Sequence, residues 1–170
     1  MKGLPDRPKE YFDKFSTNPV PIKPFDPRSR EVAENCLEQL KTLLVGLKVE
    51  LSHRGSTWFG IAGKGDIELG VYPSNEDWPR VLMRLESRYG QAGNVEENYV
   101  RFNSMLAGYD VEIIVLMGYR AEVDQKLTGH LLQHPELLKE YEQLKSRYTF
   151  SRREYQIQKD RFFRRVVADL

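Results

Sequence analysis

Cysteine is all but absent. Cys36 stands alone among 170 residues, so no internal disulfide is available and the chain fits a reducing, cytoplasmic compartment. Long hydrophobic runs are missing too. No apolar stretch approaches the roughly 20 residues that cross a bilayer, and the opening MKGLPDRPKEYF has no apolar signal core. Neither sign of charge dominates: 26 Lys and Arg stand against 25 Asp and Glu, for a net charge of +1. That balance excludes a strongly basic nucleic-acid coat, and equally an acidic solvating tail, as the identity of the whole chain. There is no internal repeat. What is present is 40% hydrophobic residues over 170 positions, enough for one compact domain with its own core.

Residues 1–27 hold six of the nine prolines: Pro5, Pro8, Pro19, Pro21, Pro24 and Pro27. Proline fixes φ and removes a donor, so this stretch is expected to be an extended, non-helical arm. It either hugs the surface, is partly disordered, or serves as a peptide-recognition segment. Residues 28–170 are expected to form a single domain, with a core over about 28–118 and C-terminal helices over about 119–170.

Within that domain, Val32, Cys36, Leu37, Leu40, Leu43 and Leu44 make one helical apolar stripe over 28–46. Asp26 is placed as N-cap, Pro27 as the first position and Gly46 as the stop. Cys36 lies on the stripe and is expected in the core. Alternation over 48–53 predicts a strand, followed by a loop carrying Gly55, Gly60, Gly63 and Gly65, and a second strand over 66–72. A helix is expected over 75–89. Strands over 99–106 and 109–117 should join in a tight hairpin at Ala107-Gly108. From Arg120 the spacing turns helical, breaks at His134-Pro135 and resumes, and a last helix starts near Ser151. This is an α+β order: a small mixed sheet with packed helices and a helical C-terminal segment.

Asp66 and Glu68 flank Ile67 on the second strand, so both carboxylates face one side. Two adjacent acids repel, and a divalent cation such as Mg²⁺ (or Mn²⁺) is the natural compensator. A third acid comes from Tyr109-Asp110-Val111-Glu112-Ile113, where Asp110 and Glu112 share a face. Glu112 is favoured because apolar residues flank it. Asp110 sits nearer the turn, where solvent alone explains it. The plain alternative is that all these acids mark the wet face of a half-covered sheet.

Gly55-Ser56 follows a strand, and nine residues separate Ser56 from Asp66. Glycine admits close backbone approach to a phosphate, and Ser56 can cap a following turn. Gly-Ser after a strand, a spacer of this length, acid–apolar–acid on the next strand and an acid on a later one resemble the DNA polymerase β-like nucleotidyltransferase superfamily. Within it the chain resembles the GrpB-like family. The matching residues are His53-Arg54-Gly55-Ser56-Thr57, Gly60-Ile61 and Lys64, with Phe25-Asp26-Pro27 upstream. Downstream are His134-Pro135-Glu136, Tyr141, Lys145, Tyr155, Lys159 and Phe162. The resemblance covers about residues 25–167. The chain departs from the family where Lys64-Gly65-Asp66 replaces a Lys-Pro and two apolar residues. Glu68 takes the family's acid position, and Thr128-Gly129 replaces an Arg-Asp pair.

The resemblance implies a nucleotidyltransferase fold and transfer of a nucleotidyl group from a nucleoside triphosphate such as ATP to an acceptor that no motif names. Asp66, Glu68 and Glu112 would be catalytic and, with Asp110, the candidate metal ligands. Gly55 and Ser56 would cradle phosphates. Lys64 and, ranked lower, Arg54 would neutralise the leaving group. Arg54 is ranked lower because it alternates with His53 and so points to the opposite face. Lys64 is otherwise a solvated loop lysine. Residues 139–165 hold nine bases against four acids, a basic helical face suited to phosphate, or an ordinary solvated one. Lys145, Tyr155 and Lys159 are its candidate nucleotide contacts. His53 is expected to be structural, and no second His or Cys stands at zinc-like spacing from it. The alternative reading is a catalytically weak nucleotide-binding or protein-interaction module. An RNA-acting transferase rests on the basic face alone, and nothing points to a membrane partner.

Overall fold

The computed structural model describes residue 4 and residues 7–170. Pro5 of the proline-rich arm lies outside the described residues. A 3₁₀ helix spans Lys9–Lys14, and helix α1 spans Arg28–Leu43. Strand β1 is Val49–Arg54, helix α2 Gly55–Phe59, strand β2 Ile67–Pro73 and helix α3 Trp78–Tyr89. Strands β3 (Asn94–Glu96), β4 (Tyr99–Leu106) and β5 (Tyr109–Leu116) follow. Helices α4 (Tyr119–Gln133), α5 (Pro135–Arg147) and α6 (Arg152–Ala168) end the chain. Among the described residues, no helix is long and apolar enough to cross a membrane.

The five strands form one mixed sheet in the order β1-β2-β5-β4-β3. Among the described residues, only β2 and β5 pair in parallel; the other strand pairs are antiparallel. Alternation gives each strand two faces. Ile67, Leu69, Val71, Val100, Phe102, Val111, Ile113 and Val115 point one way and pack on Val32, Cys36 and Leu40 of α1 and Val81 and Leu85 of α3. Cys36 is thus a core residue, as its place on the stripe implied. The opposite face carries Arg54, Glu68, Tyr72, Arg101 and Glu112, which are polar. Helices α4, α5 and α6 lie on that side with a separate core of Leu131, Tyr141, Phe162 and Val166, which also gathers Phe59 and Ile61.

Several boundaries differ from the sequence reading. The arm is not wholly extended: the Tyr11 ring meets those of Phe12 and Phe15, and Phe12 is buried, so a short helix forms between the prolines. The arm hugs the domain, with Val20 N–H on the Thr149 carbonyl and Lys23 bridging Gly63. Helix α1 stops at Leu43, and a turn carries the chain to Gly46 at φ +78°. The N-cap is Pro27, already helical in its backbone, and the helix opens at Arg28, one residue later than expected; Asp26, just outside, still accepts the Arg28 N–H at 3.0 Å. Helix α3 begins at Trp78 because residues 74–77 form a turn whose Asp77 carboxylate accepts the Lys48 N–H at 2.8 Å. The glycine-rich loop contains the short α2, and the brief edge strand β3 has no strong alternation to announce it. The hairpin at Ala107-Gly108 has φ +51° and +83°, the double left-handed turn that fits strand twist.

Gly70 shows how tightly the polar face is fitted. A Cβ there would lie 2.2 Å from the Tyr72 hydroxyl, whose ring lies back along its own strand. That hydroxyl donates to Asp124 on α4 at 2.7 Å. Gly70→Ala should therefore destabilise the fold by about 1–3 kcal/mol through overpacking. In a Tyr72→Ala background the same change should cost almost nothing. Urea unfolding of the four-member mutant cycle measures the difference.

Candidate functional site

The parallel pairing of β2 with β5 sets Glu68 directly beside Glu112. Asp66 precedes β2 by one residue and approaches from the same side. One carboxylate oxygen from each of the three lies within 4.8 Å of the others. Glu68 and Glu112 line a cleft of about 460 Å³ together with Arg54, Gly55, Lys64, Arg101 and Lys159, and Asp66 stands beside them, paired with Lys64. Three hard oxygen donors on or just before two adjacent inner strands suit Mg²⁺ or Mn²⁺, so the donor chemistry fits the ion the family resemblance implied. Asp110 is not brought to the group. It sits exposed at the hairpin end, opposite Met105, and borders a different hollow of about 340 Å³.

Gly55 is required where it stands. Its φ is +76°, and a Cβ would meet the Glu68 carboxyl carbon at 2.9 Å. Ser56 lies in the first turn of α2, but its hydroxyl is already taken: Lys145 Nζ donates to Ser56 Oγ and, at 2.8 Å, to the Ala62 carbonyl. Gly63 makes room for that contact, since a Cβ there would lie 2.8 Å from Ser56 Cβ.

Cations from several elements converge on the acids. Lys64 Nζ lies 2.5 Å from Asp66 Oδ2, and Arg101 Nη1 lies 3.5 Å from Glu112. Arg54 spans Asp124 at 2.6 Å and Glu68 at 3.7 Å. Burial alone would raise the Glu68 carboxyl, but Lys159, Arg54, Lys64 and Lys145 together pull it down to about 2. Glu112 goes the other way: burial and the neighbouring Glu68 push it up, against Lys64 and Arg101. Burial lowers the Lys145 ammonium to about 7, and repulsion from Lys159 adds to this. The Tyr141 hydroxyl, and after it Glu68, raise Lys159 despite its burial.

The sequence candidates thus separate. Glu68, Glu112, Gly55, Lys64 and Lys159 meet at the cleft, and Asp66 joins the two glutamates in the carboxylate cluster. Lys145 is fully buried behind Ser56, and Tyr155 is buried in the helical layer. Arg54 does alternate with His53, but the face it points to is the site face, because it pairs with Glu68. His53 is structural: buried, with Nε2 2.9 Å from Thr57 Oγ1, and held at about 4 by burial and then by Arg30. Two members escaped sequence reasoning. Asp124 sits on an α-helix with weak amphipathy, and Arg101 alternates on β4 with Val100 and Phe102, the pattern that carried its signal.

A family model described as GrpB protein matches residues 19–169. The crystal structure of conserved protein GrpB from Enterococcus faecalis is 17% identical and covers 88% of this chain and 96% of its own, with a TM-score of 0.70. A cytoplasmic RNA terminal U-transferase is 13% identical over 79% of this chain and 41% of its own, at a TM-score of 0.51. Cid1 in complex with its short product ApU is 13% identical over 79% of this chain and 42% of its own, at 0.50. The chain therefore spans about two fifths of those two proteins. Likeness at these identities concerns the fold, which is nucleotidyltransferase-like. No curated protein matches the chain.

Lys145 gives the site a pH signature. Its ordinary value is 10.5 and its folded value about 7, so between them the unfolded chain binds more protons. Stability should rise with pH over that window. From pH 7 to 9 the gain should reach about 1–2 kcal/mol, and Lys145→Met should abolish it. Chemical denaturation at pH 7, 8 and 9 measures both.

Proposed function

The chain belongs to the GrpB family, and from that premise we propose that it is a metal-dependent nucleotidyltransferase that moves a nucleotidyl group from a nucleoside triphosphate to an acceptor. The observation that supports this most is the meeting of the Asp66, Glu68 and Glu112 carboxylates beside a cleft walled by bases. Asp66 and Glu68 would hold Mg²⁺ or Mn²⁺, with Glu112 on the acceptor side. When bound, such ions polarise the phosphates and stabilise the attacking and leaving oxygens. The acceptor oxygen attacks the α-phosphorus, its proton leaves and pyrophosphate departs.

The protein's own groups divide this work. Glu68 stays ionised across the physiological range, as a ligand must. Glu112, raised by burial and by Glu68, is the better proton acceptor of the pair. Lys64 and Lys159 face the developing charge on the pyrophosphate, and Gly55 lets the backbone come close to it. Arg54 holds Glu68 in place from the neighbouring strand, anchored by Asp124.

A second reading, a nucleotide-binding or protein-interaction module without turnover, is favoured by one feature. The Ser56 hydroxyl, a phosphate ligand in the transferase reading, is engaged by the buried Lys145.

Calorimetric titration with ATP, GTP, CTP and UTP, with and without Mg²⁺, tests the site. Wild type should bind a triphosphate only with the metal present. Glu68→Gln and Asp66→Ala should weaken that binding at least about tenfold, 1.4 kcal/mol or more. Unchanged binding in both variants removes the acids from the site. Metal-dependent binding without pyrophosphate release, in the presence of candidate acceptors, selects the second reading.

A further inference from the structure

The acids are already neutralised before any ligand arrives. Asp66, Glu68, Glu112 and Asp124 face Arg54, Lys64, Arg101, Lys145 and Lys159. A divalent cation added alone leaves the group with a surplus of positive charge. A polyphosphate added with it restores the balance, because it carries more negative charge than one such ion neutralises.

We propose that Lys64 is a displaceable counter-ion: its ammonium occupies Asp66 until a polyphosphate binds, so metal and polyphosphate bind cooperatively and free metal binds poorly. This rests on the metal-site reading above. Lys64 Nζ sits 2.5 Å from Asp66 Oδ2, on one of the three carboxylates a metal would use. Ammonium and metal therefore compete for the same carboxylate.

Lys64 is also the cation placed to move. Arg54 and Arg101 are fixed on strands, and Arg54 is anchored by Asp124 at 2.6 Å. Lys64 lies on a loop between Gly63 and Gly65, the latter at φ +89°, with its side chain 35% exposed. The backbone beneath it is pinned, since Gly63 exchanges both hydrogen bonds with Lys23 at 2.7 and 3.0 Å. The side chain can thus swing while the loop stays. Lys64 borders both the acid cleft and the neighbouring hollow of about 340 Å³, so space exists for it away from Asp66. By linkage, whatever drew Lys64 away would raise metal affinity, and metal would raise affinity for the polyphosphate by the same factor.

The test is Mn²⁺ titration followed by the electron paramagnetic resonance of the free ion, with and without saturating α,β-methylene-ATP. Wild type should bind Mn²⁺ alone weakly and about tenfold more tightly with the analogue. Lys64→Met should bind Mn²⁺ alone about tenfold more tightly than wild type, with little further gain from the analogue. Lys64→Arg, which keeps the charge, should behave as wild type and guards against a folding artefact in the methionine variant. Lys23→Met removes a positive charge beside the same loop and should leave the Mn²⁺ affinity unchanged. If Lys64→Met binds Mn²⁺ alone no more tightly than wild type while Asp66→Asn still removes binding, the metal site stands and the counter-ion role is wrong. An equal gain in Lys23→Met also overturns it, since the effect is then the general field. If no variant binds Mn²⁺ under any condition, the metal-site reading fails and takes this inference with it.

Discussion

Three carboxylates with oxygens within 4.8 Å of one another are the constraint that the polar side of this sheet answers to. At such separations each like-charged pair costs about 3 kcal/mol at an effective dielectric of 20. No single neighbour offsets that. The compensating charges come from Arg54 on β1, Lys64 on the loop before β2, Arg101 on β4, Lys145 on α5 and Lys159 on α6. Because these are far apart in sequence, the chain must fold completely before the acids are at rest.

The C-terminal helices supply two of those charges, and Arg54–Asp124 at 2.6 Å ties α4 to β1, but apolar packing does most of the holding. Their stability comes from an apolar layer in which the Tyr141 ring stacks on Phe162 with centroids 5.2 Å apart. That layer delivers Lys145 with its Nζ 4.2 Å from the centre of the Tyr141 ring. Burying an ammonium is costly, and its depressed value registers the cost. Lys145 is retained where a methionine would pack more cheaply. In return it fixes Ser56 and the Ala62 carbonyl, and so the shape of the loop that leads to Asp66.

Local patterning made the acids legible. Alternation puts Asp66 and Glu68 on one face whatever the sheet topology, and apolar flanks separated Glu112 from the solvent-facing Asp110. Their convergence needed the parallel β2–β5 pairing, which no local pattern states. Arg54 shows the limit of face arguments: its side was judged against His53, when the deciding fact was that it pairs with Glu68 across an antiparallel register. Asp124 was invisible because its partner Arg54 lies 70 positions away, and charge pairs at that distance leave no periodic trace. The helix in the proline-rich arm was hidden for a different reason. Three aromatics between prolines form a turn only because the domain surface buries Phe12.

A cluster of ion pairs is by itself weak testimony for chemistry, since structural networks also gather charge. What separates this one is its asymmetry. Here Glu68 is pulled down to about 2 by the bases around it, while Glu112, facing it across one strand pair, is pushed up by burial and by Glu68 itself. On the proposed function, an acid held ionised beside one whose carboxyl is raised would serve metal binding and proton removal side by side. The β2–β5 register sets the pair close enough to repel, and the bases divide unevenly between them: Lys159, Arg54, Lys64 and Lys145 act on Glu68, whereas Lys64 and Arg101 act on Glu112.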